Sequence, residues 1–162
     1  MLCACSTKPL VVQRGAPDDG IWSLTGRLGV SAGDRHGSFT VDWRQDKEAY
    51  QIDLLGPMGI GVAHIAGDTD KVTLRVPRHP PMTAASAEGL LSRSLGLDIP
   101  VTPLRYWVRG KPAPGAYQQM ADGFSQLGWK VEYLAYARGL PTRIRMTRPE
   151  VKLLMVVRQW IN

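Results

Sequence analysis

The chain of 162 residues is almost without cysteine, since its two cysteines, Cys3 and Cys5, both lie at the extreme N-terminus. The single residue between them makes a mutual disulfide geometrically poor. The rest of the chain therefore carries neither a disulfide framework nor a cysteine-based metal site. The sequence also has no run of about 20 apolar residues, and this excludes a helix that spans a membrane.

Groups suited to acid–base or metal chemistry are scarce as well. The three histidines, His36, His64 and His79, show no metal-ligand spacing, and we expect only His64 to lie on a strand. The segment GPMGIG at 56–61 lacks the Lys-Ser/Thr of a phosphate-binding loop, and no Gly-x-Ser-x-Gly elbow is present. The sequence therefore predicts no enzyme, no catalytic residue, no cofactor and no metal.

Positive charge is in modest excess, with a net charge of +6 at pH 7. Such a balance suits an acidic protein partner, anionic lipid head groups or nucleic acid. The basic residues are nevertheless spread along the chain, as on an evenly solvated surface. A nucleic-acid surface would expose aromatic residues beside the basic ones, whereas the aromatic residues of this chain fall mostly on the apolar faces of the predicted strands. We therefore expect no nucleic-acid partner.

What the sequence does have is alternation of apolar and polar residues with a period of two, which is typical of β-strands. From Ile21 onward it predicts five consecutive strands, two short helices and about four further strands. The segment 111–123 is interpreted as a long connection before the last group. The fold expected is mainly β, a strongly curved antiparallel sheet with the helices over its concave side, forming one domain at 21–162.

The two helices are predicted from their caps and apolar spacing. The first covers 83–96, with Thr83 as N-cap. The second covers 102–110, with Thr102 as N-cap and Pro103 in the first helical position.

Apolar residues are in surplus on several strands, where both faces are hydrophobic, as at 54–55 and 153–154. A curved sheet of this size can enclose more volume than its own side chains fill. The six methionines suit such a lining, because Met adapts to irregular apolar partners. The alternative is that these residues simply pack a core.

One turn has an unusual composition for a segment that faces water. The turn at 56–59, Gly56-Pro57-Met58-Gly59, has Met58 at its tip and no charge between Asp53 and His64. Turn tips normally carry small polar residues. The sequence therefore predicts that Met58 meets an apolar partner outside the protein.

The first residues, MLCAC, resemble the end of a bacterial lipobox, in which Cys5 would be the acylated residue. The alternative is a chance match of four residues. We expect residues 1–20 to comprise the end of a truncated signal peptide and a lipidated tether.

An ordered set of segments resembles the LolB family of outer-membrane lipoproteins from about Trp22 onward. The segments are GSFTVDW at 37–43, YQIDLLGPMG at 50–59, PVTPLRYWVRG at 100–110, GWKVEY at 128–133 and the C-terminal Trp160-Ile161. The family implies an incomplete, eleven-stranded antiparallel β-barrel with a short-helix lid over an apolar cavity for acyl chains. It also implies a protruding loop with an apolar tip, where this chain has Pro57, Met58 and Gly59.

The resemblance also implies a function. A monomeric receptor, lipid-anchored in the outer membrane of a Gram-negative bacterium and facing the periplasm, accepts acylated lipoproteins from a LolA-like carrier. It then inserts them into the inner leaflet of that membrane. The runner-up is a lipocalin-like carrier of a free small apolar ligand. Alternation and the resemblance together predict the cavity lining: Trp43, Ile52, Leu54, Val62, Leu74, Leu91, Leu95, Trp107, Met146, Leu153 and Met155.

Overall fold

A computed structural model describes residues 20–96 and 98–161 of the chain. Cys5 and nearly all of the predicted tether lie outside the described residues. The strands are β1 (Ile21–Ala32), β2 (Arg35–Asp46), β3 (Ala49–Leu55), β4 (Gly61–Gly67), β5 (Val72–Arg75), β6 (Met82–Ala84), β7 (Gln118–Met120), β8 (Gly123–Gln126), β9 (Trp129–Ala137), β10 (Leu140–Arg148) and β11 (Val151–Ile161). The helices are α1 (Ala87–Leu95) and α2 (Val101–Trp107), with a short 3₁₀ turn at Pro57–Gly59.

The eleven strands form one antiparallel sheet in the order β6-β5-β4-β3-β2-β1-β11-β10-β9-β8-β7. Strands β6 and β7 are its two edges, so the described sheet is not closed. The pairing of β1 with β11 joins the two halves of the chain, while every other pair is between sequence neighbours. This topology confirms the predicted fold class, a mainly β chain that forms an incomplete barrel.

The sheet curves so that one face is concave, and this face carries the apolar half of each alternating pattern. On β1 the residues Trp22, Leu24, Leu28 and Val30 are all buried, while their neighbours are more exposed. A bulge between Thr25 and Gly26 shifts the register against β11. A Cβ atom at Gly26 would lie 2.4 Å from the carbonyl oxygen of Val156, so only glycine allows the strands to approach this closely.

Both helices begin at other residues than the predicted ones. Helix α1 starts after Ser86, whose Oγ accepts a hydrogen bond from the Gly89 amide at 3.3 Å. The predicted cap, Thr83, lies instead on β6, where it pairs with Thr73 of β5. In α2 Pro100 occupies the N-cap position and Thr102 lies inside the first turn, so the second predicted cap is also wrong.

Two further local predictions are wrong. The connection predicted at 111–123 contains β7, which makes five strands after the helices instead of about four. Its three residues pair with β8, and so short a strand leaves no clear alternation in the sequence. His36 lies on β2 and not in a turn, because the β1–β2 connection consists only of Gly33 and Asp34.

Helix α2 is attached to the second half of the sheet by buried hydrogen bonds. The indole Nε1 of Trp107 donates to Oε1 of Gln126 at 2.9 Å. The Gln126 side chain also bonds both the amide and the carbonyl of Ala113. The hydroxyl of Tyr133 on β9 donates to the carbonyl oxygen of Trp107 at 2.7 Å. These bonds satisfy the polar groups that the end of α2 buries.

We expect Tyr133→Phe to lower the free energy of unfolding by about 1 kcal/mol at neutral pH, because it removes one hydrogen bond. Burial, followed by the neighbouring Tyr136, raises the pKa of Tyr133 well above its ordinary value. Below pH 10 the hydroxyl is neutral in both states and its contribution is complete. Above pH 10 the unfolded chain ionises first, so stability falls as pH rises, and the variant should lose part of this slope.

Urea unfolding at neutral and alkaline pH measures both effects. Tyr117→Phe is the matched control, since the Tyr117 ring is 51% exposed and stability should change by less than about 0.5 kcal/mol. If the free energy of unfolding falls equally with rising alkaline pH in Tyr133→Phe and in the native chain, the Tyr133 hydroxyl does not contribute to this pH dependence. Some loss of stability with rising alkaline pH should persist in both the native chain and Tyr133→Phe, because burial raises the pKa of Tyr50 to about 12.

Candidate functional site

The concave face of the sheet and the two helices enclose a cavity of about 240 Å³. Strands β1–β4, β10 and β11 form its wall. Its roof is the lid, which we define as α1, α2 and the linker between them. The lining residues are Leu28, Val30, Ala32, Arg35, His36, Gly37, Phe39, Val41, Trp43, Ile52, Leu54, Val62, Ile65, Leu91, Ile99, Val101, Leu104, Met146, Leu153 and Met155.

The lining is suited to hydrocarbon. Its charged or titratable members, Arg35 and His36, are neighbours at the start of β2, and nearly every other lining side chain is apolar. The indole Nε1 of Trp43 donates to the buried Gln45 at 3.0 Å, and the Gln45 amide donates in turn to the carbonyl of Lys47. Because the protein satisfies these donors itself, the wall offers an apolar ligand a surface without unpaired polar groups.

The structure brings together eight of the eleven residues predicted to line a cavity. They are Trp43, Ile52, Leu54, Val62, Leu91, Met146, Leu153 and Met155. The side chain of Leu95 lies outside what the structure describes. Leu74 and Trp107 do not line the cavity. The acyl-binding role of the eight stays a prediction.

Leu74 and Trp107 are buried elsewhere for different reasons. Leu74 on β5 pairs with Ile65 and Met82, and α1 packs against this strand, so that no surface of Leu74 remains for a ligand. Trp107 points toward the second half of the sheet. Its ring centroid lies 6.3 Å from Phe124 and 6.4 Å from Trp129.

Sequence reasoning missed several lining residues that the alternation could have supplied. Leu28 and Val30 alternate with polar residues on β1, and Phe39 and Val41 share the face of Trp43 on β2. The remaining large omissions are Ile65 on β4 and three lid residues, Ile99, Val101 and Leu104. Ile99 lies in the linker between the helices, where no periodicity marks it.

The β3–β4 loop has the exposed apolar tip that its sequence predicts. Met58 is 97% exposed and Ile60 66%. Met58 has φ +63°, a left-handed conformation that costs a residue other than glycine about 1–2 kcal/mol. The Gly56 amide donates to the Ile60 carbonyl at 2.8 Å, so the backbone closes on itself and the apolar side chains extend outward.

The loop lies at the same end of the sheet as the β1–β2 turn. Thr40 in the middle of β2 pairs with Leu55 at the end of β3, so both connections project toward the same end of the sheet, with the first half of β2 extending beyond β3. Leu54 and Val62, which flank the loop, both line the cavity. The wall of the cavity is therefore continuous with the loop that carries Met58.

Polar contacts attach the lid to the sheet. Arg35 Nη2 donates to the Gly96 carbonyl at the end of α1 at 3.2 Å. Arg148 on β10 pairs with Asp98 in the linker at 3.1 Å, and Arg105 on α2 pairs with Glu48 at 2.6 Å. Glu48 and Asp98 are more than half exposed, and exposed pairs contribute about 0–1 kcal/mol each. Small differences in free energy therefore suffice to break these contacts.

None of the described helices has the length and apolar character needed to cross a membrane. Comparison with solved structures defines the class of fold. The crystal structure of the LolA superfamily protein NE2245 from Nitrosomonas europaea superposes with a TM-score of 0.53, covering 88% of this chain and 86% of that one. The two sequences are 12% identical, so this likeness concerns the fold alone. The fold of this chain therefore resembles that of this LolA superfamily protein.

Sequence comparison identifies the family within that class. The family model described as outer membrane lipoprotein LolB matches residues 21–160. The outer-membrane lipoprotein LolB of Nitrosococcus oceani is 38% identical over 151 residues, which cover 86% of this chain and 75% of the relative. Those of Stutzerimonas stutzeri and Pseudomonas fluorescens are 37% and 36% identical, over 86% of this chain and 73% and 74% of their own lengths. The chain belongs to the LolB family, which confirms the resemblance noted in its sequence.

Proposed function

We propose that this protein is an outer-membrane lipoprotein receptor, which accepts acylated lipoproteins from a LolA-like periplasmic carrier and inserts them into the inner leaflet of that membrane. One observation carries the proposal: an apolar cavity whose wall leads directly to a loop with the exposed Met58 at its tip. The cavity suits acyl chains and the tip suits the membrane that receives them.

The energetics of acyl chains explain why a cavity is needed. Each methylene exposed to water costs about 0.8 kcal/mol, so three chains cost on the order of tens of kcal/mol. Free diffusion of such a cargo across an aqueous gap is therefore excluded. Transfer proceeds downhill in free energy if the cavity binds the chains more tightly than the carrier does, and the bilayer more tightly than the cavity.

The loop at Pro57, Met58 and Gly59 directs the delivery. Burying one Met side chain in the acyl region contributes about 1.5–3 kcal/mol, which biases orientation without anchoring the protein. The lipid on Cys5 supplies the anchor in this proposal and keeps the domain at the periplasmic face of the outer membrane. The monomer is the unit that acts.

The lipocalin-like alternative fits the topology less well. Lipocalins close eight strands into an up-and-down barrel. Here eleven strands form an open sheet with separate edges at β6 and β7, and an added lid covers the concave face. A carrier of a free ligand also has no need of an apolar tip outside its cavity.

Native mass spectrometry separates the two functions. A carrier loaded with a triacylated lipoprotein is mixed with the purified protein, and the complexes formed are weighed. We expect stoichiometric capture of the acylated lipoprotein, and no capture of the same lipoprotein lacking its acyl chains. Failure to capture it, together with a co-purified free fatty acid or sterol, would favour the lipocalin-like function.

A further inference from the structure

The β5–β6 connection presents an arginine at the tip of a constrained turn. Its sequence is Pro77-Arg78-His79-Pro80-Pro81, with three prolines in five residues. The His79 amide donates to the Val76 carbonyl at 3.2 Å, which closes a four-residue turn with Pro77 second and Arg78 third. Arg78 has φ +65°, at a position that type II turns reserve for glycine or asparagine. A long cation is thus held at the tip despite the conformational cost.

This turn lies beside the β3–β4 loop. Strands β4 and β5 are antiparallel neighbours, and Arg75 at the end of β5 pairs with His64, three residues after the start of β4. The β3–β4 and β5–β6 connections therefore project toward the same end of the sheet, from adjacent strand pairs. Neighbouring strands are about 4.8 Å apart, so the two strand pairs are centred about 10 Å from each other across the sheet.

The sequence segments that contain both tips lack acidic residues, and Asp53 on the neighbouring β3 contacts the His64 ring at 2.6 Å. No Asp or Glu occurs at 54–67 or at 71–87. Arg75 and Arg78 are both exposed, and within the described part of the chain neither guanidinium forms an ion pair with a carboxylate. Their charges are therefore not neutralised internally, and they favour an anion outside the protein.

We propose that Arg78, supported by Arg75, binds the phosphate of an anionic phospholipid head group while Met58 enters the acyl region beside it. This inference rests on the proposed delivery function and adds a lipid preference to its membrane step. A guanidinium matches phosphate geometry with paired hydrogen bonds. A bilayer surface has phosphates above hydrocarbon. A cation beside an apolar tip is complementary to this surface, because the cation meets the phosphates and the tip meets the hydrocarbon.

The test measures binding of the protein to two kinds of vesicle at physiological ionic strength. One kind is phosphatidylcholine alone, and the other is phosphatidylcholine mixed with phosphatidylglycerol in a three-to-one ratio. Arg78→Asn removes the charge, and asparagine tolerates the left-handed conformation, so the turn is kept. Arg138→Asn is the matched control. Arg138 is exposed at φ +52° in the β9–β10 turn, at the opposite end of the sheet.

We expect Arg78→Asn to weaken binding to the anionic vesicles about five-fold, as one cation near such a surface contributes. Binding to phosphatidylcholine alone should be unchanged, and Arg138→Asn should resemble the native chain. Arg78→Lys should restore only part of the affinity, because an ammonium supplies the charge without the paired hydrogen bonds of a guanidinium. The difference between Arg78→Asn and the native chain should shrink at about 1 M salt, where the Debye length is about 3 Å.

Equal affinity of Arg78→Asn and Arg138→Asn for the anionic vesicles would overturn the inference. It would also be overturned if Arg78→Asn slowed acceptance of cargo from the carrier without any vesicle present, since the arginine would then face a protein. Met58→Glu is measured in parallel and reports on the proposed function itself. If it binds both kinds of vesicle normally, the delivery role of the loop fails, whatever Arg78→Asn shows.

Discussion

Val62→Trp should abolish most acyl-chain binding while the protein remains folded. Val62 lines the cavity on β4 beside the loop that carries Met58, and its side chain is partly exposed. A cavity of about 240 Å³ cannot hold an added indole and the same length of hydrocarbon. If the indole displaces about four methylenes, binding weakens by about 3 kcal/mol, or roughly two hundred-fold.

Carrier-to-receptor transfer of a fluorescent triacylated lipopeptide measures this effect, and a thermal melt verifies the fold. Val156→Trp is the matched control, because Val156 is 36% exposed on the convex side of β11. Overpacking costs about 1–3 kcal/mol of stability, so Ala32→Trp, at the rim of the same cavity, serves as a second variant. Native transfer to folded forms of both cavity variants would show that acyl chains bind elsewhere.

Met58→Glu should accept cargo normally and fail to release it into membranes. The side chain is almost fully exposed, so its replacement leaves the cavity and the fold intact. The change removes about 1.5–3 kcal/mol of membrane burial, equivalent to roughly 10–150-fold in vesicle affinity. The carboxylate adds a desolvation cost to this loss.

The two steps are measured separately. Acceptance is followed by capture from the carrier in solution, and release by sedimentation of labelled lipopeptide with added vesicles. Met58→Leu should behave like the native chain, since the tip stays apolar. Leu134→Glu places the same charge at another exposed apolar position, on β9, and should also behave normally. Release by Met58→Glu at the native rate would remove the delivery role from this tip.

The apolar tip and most of the cavity wall could be predicted from sequence because both follow from local rules. Alternation with period two assigns one face of each strand, and on β3, β10 and β11 it selected lining residues such as Ile52, Met146 and Leu153. Met58 stands out because its neighbours in a water-facing turn are not polar. These features depend on a few consecutive residues, which the sequence shows directly.

Other features depend on long-range packing and were not predictable in the same way. Alternation puts Leu74 on the concave face correctly, but only the position of α1 decides that the helix covers it. Trp107 belongs to the lid, yet it packs against Phe124 and Trp129 because α2 lies over the second half of the sheet. The sequence alone does not distinguish the observed cap, Ser86, from the predicted one, Thr83, because Ser and Thr are both common N-caps, and only the pairing of β6 separates them.

The most direct test of the central claim, that the cavity holds acyl chains, uses the methionine methyl groups as probes. Met146 and Met155 line the cavity, whereas Met120 lies on the edge strand β7. With methyl-labelled methionine, loading with a triacylated lipopeptide should shift the NMR signals of Met146 and Met155 and give NOEs from both to the chain methylenes. The Met120 signal should stay in place. A loaded protein in which the Met146 and Met155 signals do not move would contradict the account.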